Sequence, residues 1–141
     1  MKVIFVFVFC LFIFFNVMRT NTNKENYPDT LVTENNSTYS LSGKYKLSLH
    51  SGSDNNVQYY YFTISSDNTV LYTSDEKYYK RFTLFLSWDD NADIVWCYSS
   101  DIGTYYWVYE NGNWEKYMYA HNKGIMQVPN VFRKLRPKYF P

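Results

Sequence analysis

The sequence predicts a mostly β domain: an antiparallel sheet of about six or seven strands, an N-terminal hydrophobic helix and a short C-terminal helical turn. Three observations predict the sheet. Apolar and polar residues alternate over several short segments beyond residue 42, and clusters of Ser, Asn, Asp and Gly separate those segments. An Asn-Gly pair between two aromatic runs adds a tight hairpin. A meander, a sandwich and a partly open barrel all fit this pattern.

The alternating segments define the first strands. They cover residues 44–50, 57–64, 69–73, 81–88 and 94–99, and turn clusters occupy residues 51–56, 65–68 and 89–93. Because successive side chains of a strand point to opposite faces, the apolar positions identify the side that faces the core. In the first and fourth segments these positions are Tyr45, Leu47, Leu49, Phe82, Leu84, Leu86 and Trp88.

The strongest turn signal is the pair Asn111 and Gly112, which is preferred in the two-residue type I′ loop of a hairpin. This loop predicts three cross-strand pairs, Tyr109 with Trp114, Trp107 with Lys116 and Tyr105 with Met118. Those six side chains share one face, and Thr104, Tyr106, Val108, Glu115, Tyr117 and Tyr119 take the other. We expect Trp96, Trp107 and Trp114 in the core or at its edge, and Tyr106, Tyr117 and Tyr119 on an outward face.

A short helix is predicted near the C-terminus, over residues 128–135. Pro129 suits its first turn, because proline lacks the backbone N–H that a helix start leaves unpaired. The apolar residues that would lie near one face are Val128, Val131, Phe132 and Leu135. The basic residues of the tail are interpreted as solvated cations near the helix C-terminus, where the helix dipole favours them.

The first 19 residues form a separate segment. Lys2 precedes an apolar run over residues 3–18, which is typical of an export signal or a signal anchor. The run lacks the small residues that signal peptidase needs, so we expect a retained single-pass anchor with its N-terminus in the cytoplasm. Cleavage, giving a secreted or periplasmic protein, is the alternative. Residues 20–42 are interpreted as a flexible polar tether to an extracytoplasmic β-rich domain over residues 43–141.

Cysteine and histidine usage offers little to catalysis or metal binding. Cys97 is the only cysteine outside the leader, so the domain cannot form an internal disulfide. Its position within a strand predicts a buried, unreactive thiol. His50 and His121 lie at no metal-ligand spacing from a cysteine or carboxylate. The absence of internal disulfides in an exported chain favours a bacterial envelope protein.

The acidic run over residues 89–93 begins like a calcium-binding loop, but Ile94 and Ser100 stand where such a loop requires glycine and glutamate. The sequence also contains no nucleophile elbow, no phosphate-binding glycine loop and no dinucleotide-binding motif. We therefore predict no metal site, no cofactor and no enzyme activity.

Aromatic residues make up 22% of the chain, more than a small core needs. Since tyrosine joins an apolar ring to a polar hydroxyl, a contiguous stripe of tyrosines forms a binding face. We interpret the protein as a noncatalytic domain that binds a protein or a glycan through Tyr106, Tyr117 and Tyr119. The formal net charge of +1 gives no reason to expect nucleic acid as a partner.

Two alternatives remain open. One is an immunity-type protein that neutralises a toxin at the envelope. The other is a small hydrolase that uses His50 or His121 together with a nearby carboxylate, which would need a concave pocket holding both groups within hydrogen-bond reach.

The stretch VWCYSSDIGTYYW, residues 95–107, and the tail over residues 136–139 resemble small exported bacterial proteins of unknown function. In those proteins a VW-Y-S-D-G-W strand pair precedes an end rich in proline and lysine. The resemblance covers only the C-terminal third of the chain. It implies a bacterial β-rich domain and assigns no activity and no functional residue.

Overall fold

The computed structural model describes residues 28–141. Its elements, in chain order, are β1 (Thr38–Tyr39), β2 (Lys46–Asp54), β3 (Val57–Ser66), β4 (Thr69–Thr73), β5 (Tyr78–Tyr79), β6 (Leu84–Trp88), β7 (Ile94–Ser99), β8 (Gly103–Glu110), β9 (Asn113–Met118), a 3-10 helix (Tyr119–Asn122) and α1 (Asn130–Leu135). The leader predicted over residues 1–19 lies outside this part of the chain. Within residues 28–141, no helix is long and apolar enough to cross a membrane.

The strands form two antiparallel sheets. The first has the order β1-β2-β3-β4, with β5 also paired to β3, and the second is a meander in the order β6-β7-β8-β9. The prediction of a mostly β, antiparallel fold is confirmed, although the strands divide between two sheets. β1 and β5 have two residues each, which is too short for an alternating pattern to reveal.

The two sheets pack face to face over a shared core. Its fully buried members are Leu47, Phe62, Ile64, Leu86, Val95, Cys97 and Trp107. Trp88 and Trp114 also belong to this core and are nearly as buried. The Trp88 indole Nε1 donates to the carbonyl of Thr38 over 3.2 Å, which links the second sheet to the first. Burial raises the pKa of the Cys97 thiol to about 12, so the thiol stays protonated at neutral pH.

Three two-residue turns each connect two neighbouring strands of the same sheet, and both residues of every turn have a positive φ angle. They are Asn55-Asn56, Asp67-Asn68 and Asn111-Gly112. Asn, Asp and Gly tolerate this conformation, which the type I′ loop of a hairpin requires. The turn predicted over residues 51–56 is therefore wrong in length, because β2 continues to Asp54.

The third hairpin has the register that its Asn-Gly pair predicts. Tyr109 pairs with Trp114, Trp107 with Lys116, and Tyr105 with Met118. Trp96 and Trp107 are fully buried and Trp114 is nearly so, which confirms their predicted place in the core.

The second sheet is covered on both faces. Its outer face carries a second apolar cluster in which strand residues meet the C-terminal segment. The largest members of this cluster are Phe85, Trp96, Tyr98, Tyr106, Phe132 and Phe140. The predicted C-terminal helix is present, beginning at Asn130, and it buries Val131 and Phe132 against this face.

The chain before β1 is packed on the domain. Leu31 and Val32 are buried, and the Val32 amide donates to the carbonyl of Leu86 over 2.8 Å. The flexible tether predicted over residues 20–42 therefore does not extend through residues 28–42. Hydrogen bonds from the Ser87 hydroxyl to the carbonyl of Thr30 and from the Trp88 indole to the carbonyl of Thr38 add to this apolar pair in holding the stretch against β6. The remainder of the predicted tether lies outside the described residues.

Candidate functional site

A groove of about 480 Å³ with a mostly apolar lining lies at one end of the second sheet. The β7–β8 turn, the start of β8, the end of β9, the 3-10 helix and the C-terminal tail form its walls. The apolar side chains that line it are Tyr98, Ile102, Tyr105, Met118, Tyr119, Tyr139 and Phe140. We call this surface the aromatic groove. Its volume falls within the range of about 300–1,000 Å³ that is typical of ligand sites.

The β7–β8 turn is shaped by local sequence. Gly103 has φ of +100°, a conformation that favours glycine. The buried hydroxyl of Ser99 accepts hydrogen bonds from the backbone amides of Asp101 (3.2 Å) and Ile102 (3.4 Å). These bonds hold the turn so that Asp101 and Ile102 form one wall of the groove.

The opposite wall comes from the C-terminal tail. After α1, the amides of Tyr139 and Phe140 both donate to the carbonyl of Arg136 over 3.0 Å, which turns the chain back toward the sheet. The Phe140 ring then packs edge-on against Tyr98, with centroids 5.7 Å apart, and against Tyr119 at 6.2 Å. The floor of the groove is thus made of interlocked rings.

The rim of the groove exposes apolar side chains to solvent. Ile102 and Met118 are each 37% exposed, and Tyr139 is 63% exposed. Exposed apolar side chains that cluster around a concavity, unlike scattered ones, mark a surface that a ligand can cover. Asp101 and Lys123 add one carboxylate and one ammonium to the lining, and neither forms an ion pair within residues 28–141.

The structure separates the three tyrosines that the sequence singled out. Tyr106 lies on the outer face of the sheet but is only 6% exposed, packed between Trp96 (4.9 Å) and Tyr117 (5.4 Å), so its predicted place on a solvent-facing surface is wrong. The C-terminal segment covers this part of the sheet, which a reading of the hairpin alone could not anticipate. Tyr117 is partly exposed at the outer end of this series of three rings, and its hydroxyl donates to Glu110. Tyr119 is half-buried and lines the aromatic groove.

A larger cavity, of about 600 Å³, lies where the two sheets meet, but the charged groups that line it pair with one another. Lys80 pairs with Glu34 at 3.4 Å and lies 4.5 Å from the centroid of the Tyr60 ring. Glu34 also accepts a hydrogen bond from the Ser51 hydroxyl, which lowers the pKa of its carboxyl. A ligand would have to displace these contacts, so we favour the aromatic groove.

Within residues 28–141, neither histidine forms a hydrogen bond or an ion pair with a carboxylate. His50 Nε2 lies 2.8 Å from the hydroxyl oxygen of Thr63, and its ring stacks on Tyr61. His121 belongs to the exposed 3-10 helix. Within residues 28–141, neither imidazole forms an ion pair with a carboxylate, so the His–carboxylate pair of the hydrolase alternative is not assembled there.

The acidic loop between β6 and β7 directs its carboxylates to separate partners. Asp89 accepts from the Trp96 indole at 2.9 Å, Asp90 from the Asn130 amide at 2.7 Å, and Asp93 from the Ser42 amide at 3.0 Å. No group of three potential metal ligands occurs in the described part of the chain. The loop connects three parts of the domain to one another.

We predict that Asp93→Asn lowers the free energy of unfolding by about 1 kcal/mol at neutral pH, since it weakens charge-assisted bonds at a partly exposed site. Partial burial alone would raise the pKa of Asp93, but hydrogen bonds from Ser42 outweigh it and hold the pKa below its ordinary value. A depressed pKa stabilises the fold above the unfolded value, and this contribution disappears as the pH falls through the folded value. Urea unfolding at a series of pH values should show wild type and variant converging in acid.

The control for this prediction is Ser42→Ala, which removes one of the same bonds. The double variant should lose little more than either single variant. A difference between wild type and Asp93→Asn that persists undiminished in strong acid would contradict the assignment.

Comparisons of this chain with family models, with curated proteins and with solved structures found no match.

Proposed function

We propose that this chain is a noncatalytic binding domain of a bacterial envelope, and that it holds a partner protein in the aromatic groove. The observation that carries the proposal is the combination of a ring-lined floor with an exposed apolar rim in one concave surface. Tyrosine and methionine are enriched in protein interfaces, because they bury large area while adapting to a partner. A toxin, as in the immunity-type alternative, is one partner of this class.

The predicted leader determines the cellular location in which this binding takes place. An apolar run over residues 3–18 directs export, and a single-pass anchor keeps the domain at the membrane with the groove outside the cytoplasm. Cleavage of the leader would release the same domain into the periplasm or the medium. In either case the partner is an extracytoplasmic protein.

The proposal predicts that Tyr139→Ala weakens capture of the partner by about tenfold, because an exposed ring at the groove rim supplies a large share of the contact area. The full chain, bound to beads, would be mixed with solubilised envelopes of the source cells, and retained proteins quantified over a bait dilution series. Tyr39→Ala is a matched control, since Tyr39 is 64% exposed on the first sheet against 63% for Tyr139 on the tail.

Two outcomes would contradict the proposal. One is equal capture by wild type, Tyr139→Ala and Tyr39→Ala, which would place the contact elsewhere. The other is Tyr139-dependent retention of carbohydrate from an extract whose proteins have been completely digested, which would favour a glycan as the ligand. Thermal unfolding of each variant shows whether the fold is intact, so a loss of capture can be assigned to the groove.

A further inference from the structure

We infer that the aromatic groove receives the guanidinium of an arginine side chain on the partner protein, held between tyrosine rings and the Asp101 carboxylate. This inference rests on the proposed function, and it names the chemical group that the groove recognises. Three observations on the described residues support it.

The first observation is the ring content of the groove. Four tyrosines line the groove, namely Tyr98, Tyr105, Tyr119 and Tyr139. Tyr139 is 63% exposed and Tyr119 is half-buried, whereas the Tyr98 ring is buried beside them, with its centroid 6.2 Å from that of Tyr139. The faces of aromatic rings carry negative charge density and attract cations within about 6 Å. A planar guanidinium has the further advantage that it stacks on such rings, which an ammonium does not.

The second observation is that rings around the groove already hold cations of this chain. The Arg136 guanidinium carbon lies 5.9 Å from the Tyr98 centroid and 5.7 Å from that of Phe85. Lys116 Nζ lies 4.3 Å from the Tyr105 centroid. The fold therefore uses cation–ring contacts at this end of the second sheet, and the exposed Tyr139 ring at the rim offers a further one.

The third observation is an unused carboxylate. Asp101 is exposed on the groove wall, and its carboxylate has no hydrogen-bond or ion-pair partner within residues 28–141. Arginine pairs with a carboxylate through two parallel N–H···O bonds, so Asp101 can fix the orientation of a guanidinium that the rings attract. Lys123 contributes one positive charge to the same lining, which opposes a cation and limits its affinity.

The test uses N-acetyl-arginine amide as the probe and N-acetyl-citrulline amide as its neutral isostere. Each would be titrated into the full chain at fixed ionic strength, with binding followed by the NMR shifts of the Ile102, Gly103 and Lys123 amides. We expect the arginine compound to bind at least ~3-fold more tightly than the citrulline compound, the gain of an exposed cation–ring contact. N-acetyl-lysine amide should bind more weakly than the arginine compound, because it cannot stack.

Two surface variants are expected to shift the arginine affinity in opposite directions. Asp101→Asn should weaken it by ~3-fold, and Lys123→Ala should strengthen it by ~2-fold at low salt. Both side chains are exposed, so both variants are expected to fold. Equal binding of the arginine and citrulline compounds, tighter binding of the lysine compound, or shifts of the same sign in the two variants would each overturn the inference.

Failure of this inference is distinguishable from failure of the proposed function. Capture of a protein that depends on Tyr139 but not on Asp101 would keep the groove as the binding site and reject arginine as the recognised group. Capture that depends on neither residue would reject the groove itself.

Discussion

Replacement of Trp107 by alanine is expected to lower the free energy of unfolding by about 3–5 kcal/mol, the usual cost of deleting a large buried aromatic side chain. Trp107 is fully buried between the two sheets, and its ring packs edge-on against Phe62 with centroids 4.9 Å apart. Its indole Nε1 donates to the hydroxyl of Tyr72 over 2.8 Å. Alanine would remove the packing and leave a cavity at the centre of the shared core. Chemical unfolding, followed by far-UV circular dichroism, measures the loss.

Two smaller changes separate packing from hydrogen bonding at this position. Trp107→Phe keeps an aromatic ring but removes the indole donor, so it should cost less than alanine. Tyr72→Phe keeps Trp107 and leaves its buried N–H without an acceptor, which should cost about 1–3 kcal/mol. Burial raises the pKa of Tyr72 to about 12, so its hydroxyl remains protonated and available throughout the neutral range. A loss below about 1 kcal/mol for Trp107→Ala would contradict the central place of this residue in the core.

The hairpin shows what local sequence can specify. The backbone conformation of Asn111-Gly112 selects a two-residue loop, and the loop fixes the register of every pair that follows. The same register places Trp107 and Tyr106 on opposite faces of the strand, and Trp107 lies on the face that packs against the first sheet. This chain of reasoning involves only neighbouring residues, so it could be followed from the sequence.

The burial of the outer face of the second sheet by the C-terminal segment could not be predicted from neighbouring residues in this way. Tyr106 occupies the face opposite Trp107, as its position requires, but the C-terminal segment packs on that face. One signal was present, because β7 reads Ile-Val-Trp-Cys-Tyr-Ser and has no polar face. A strand that is apolar on both sides is typical of a sheet buried on both faces. That signal indicates burial and leaves the covering segment unidentified.

The aromatic groove was missed for a related reason. Its walls come from the β7–β8 turn, the end of β9 with the 3-10 helix, and the last residues of the tail. Each segment is unremarkable alone, and only tertiary packing brings them together. Tyr119 was selected from the sequence as an outward tyrosine, and it reaches the groove because the strand ends at Met118 and the chain turns into a 3-10 helix. Tyr139, by contrast, lies in a tail whose sequence indicates only basic charge and a resemblance that assigns no functional residue.

The second substitution with a large expected effect on stability lies in the C-terminal helix. Phe132→Ala is expected to lower the free energy of unfolding by about 3–5 kcal/mol, because Phe132 is fully buried beneath the helix. Its ring packs on Phe85 at 6.0 Å and on Phe140 at 6.1 Å, so it joins the sheet to the segment that forms one wall of the groove. Chemical unfolding measures the total loss of free energy of unfolding. Limited proteolysis shows whether the substitution makes the C-terminal tail accessible.

Phe132→Leu is the matched control, since it keeps an apolar side chain of nearly the same size and should cost less than about 1.5 kcal/mol. Phe132→Ala should also weaken binding of the arginine probe, because Phe140 would no longer hold Tyr98 and Tyr119 in place. Trp107→Ala should disturb the groove less, because Trp107 packs in the shared core and reaches the groove lining through Tyr105, at 6.5 Å. If Phe132→Ala destabilised the domain but left both the probe affinity and the protease resistance of the tail unchanged, the helix would contribute only to stability and would have no part in shaping the groove.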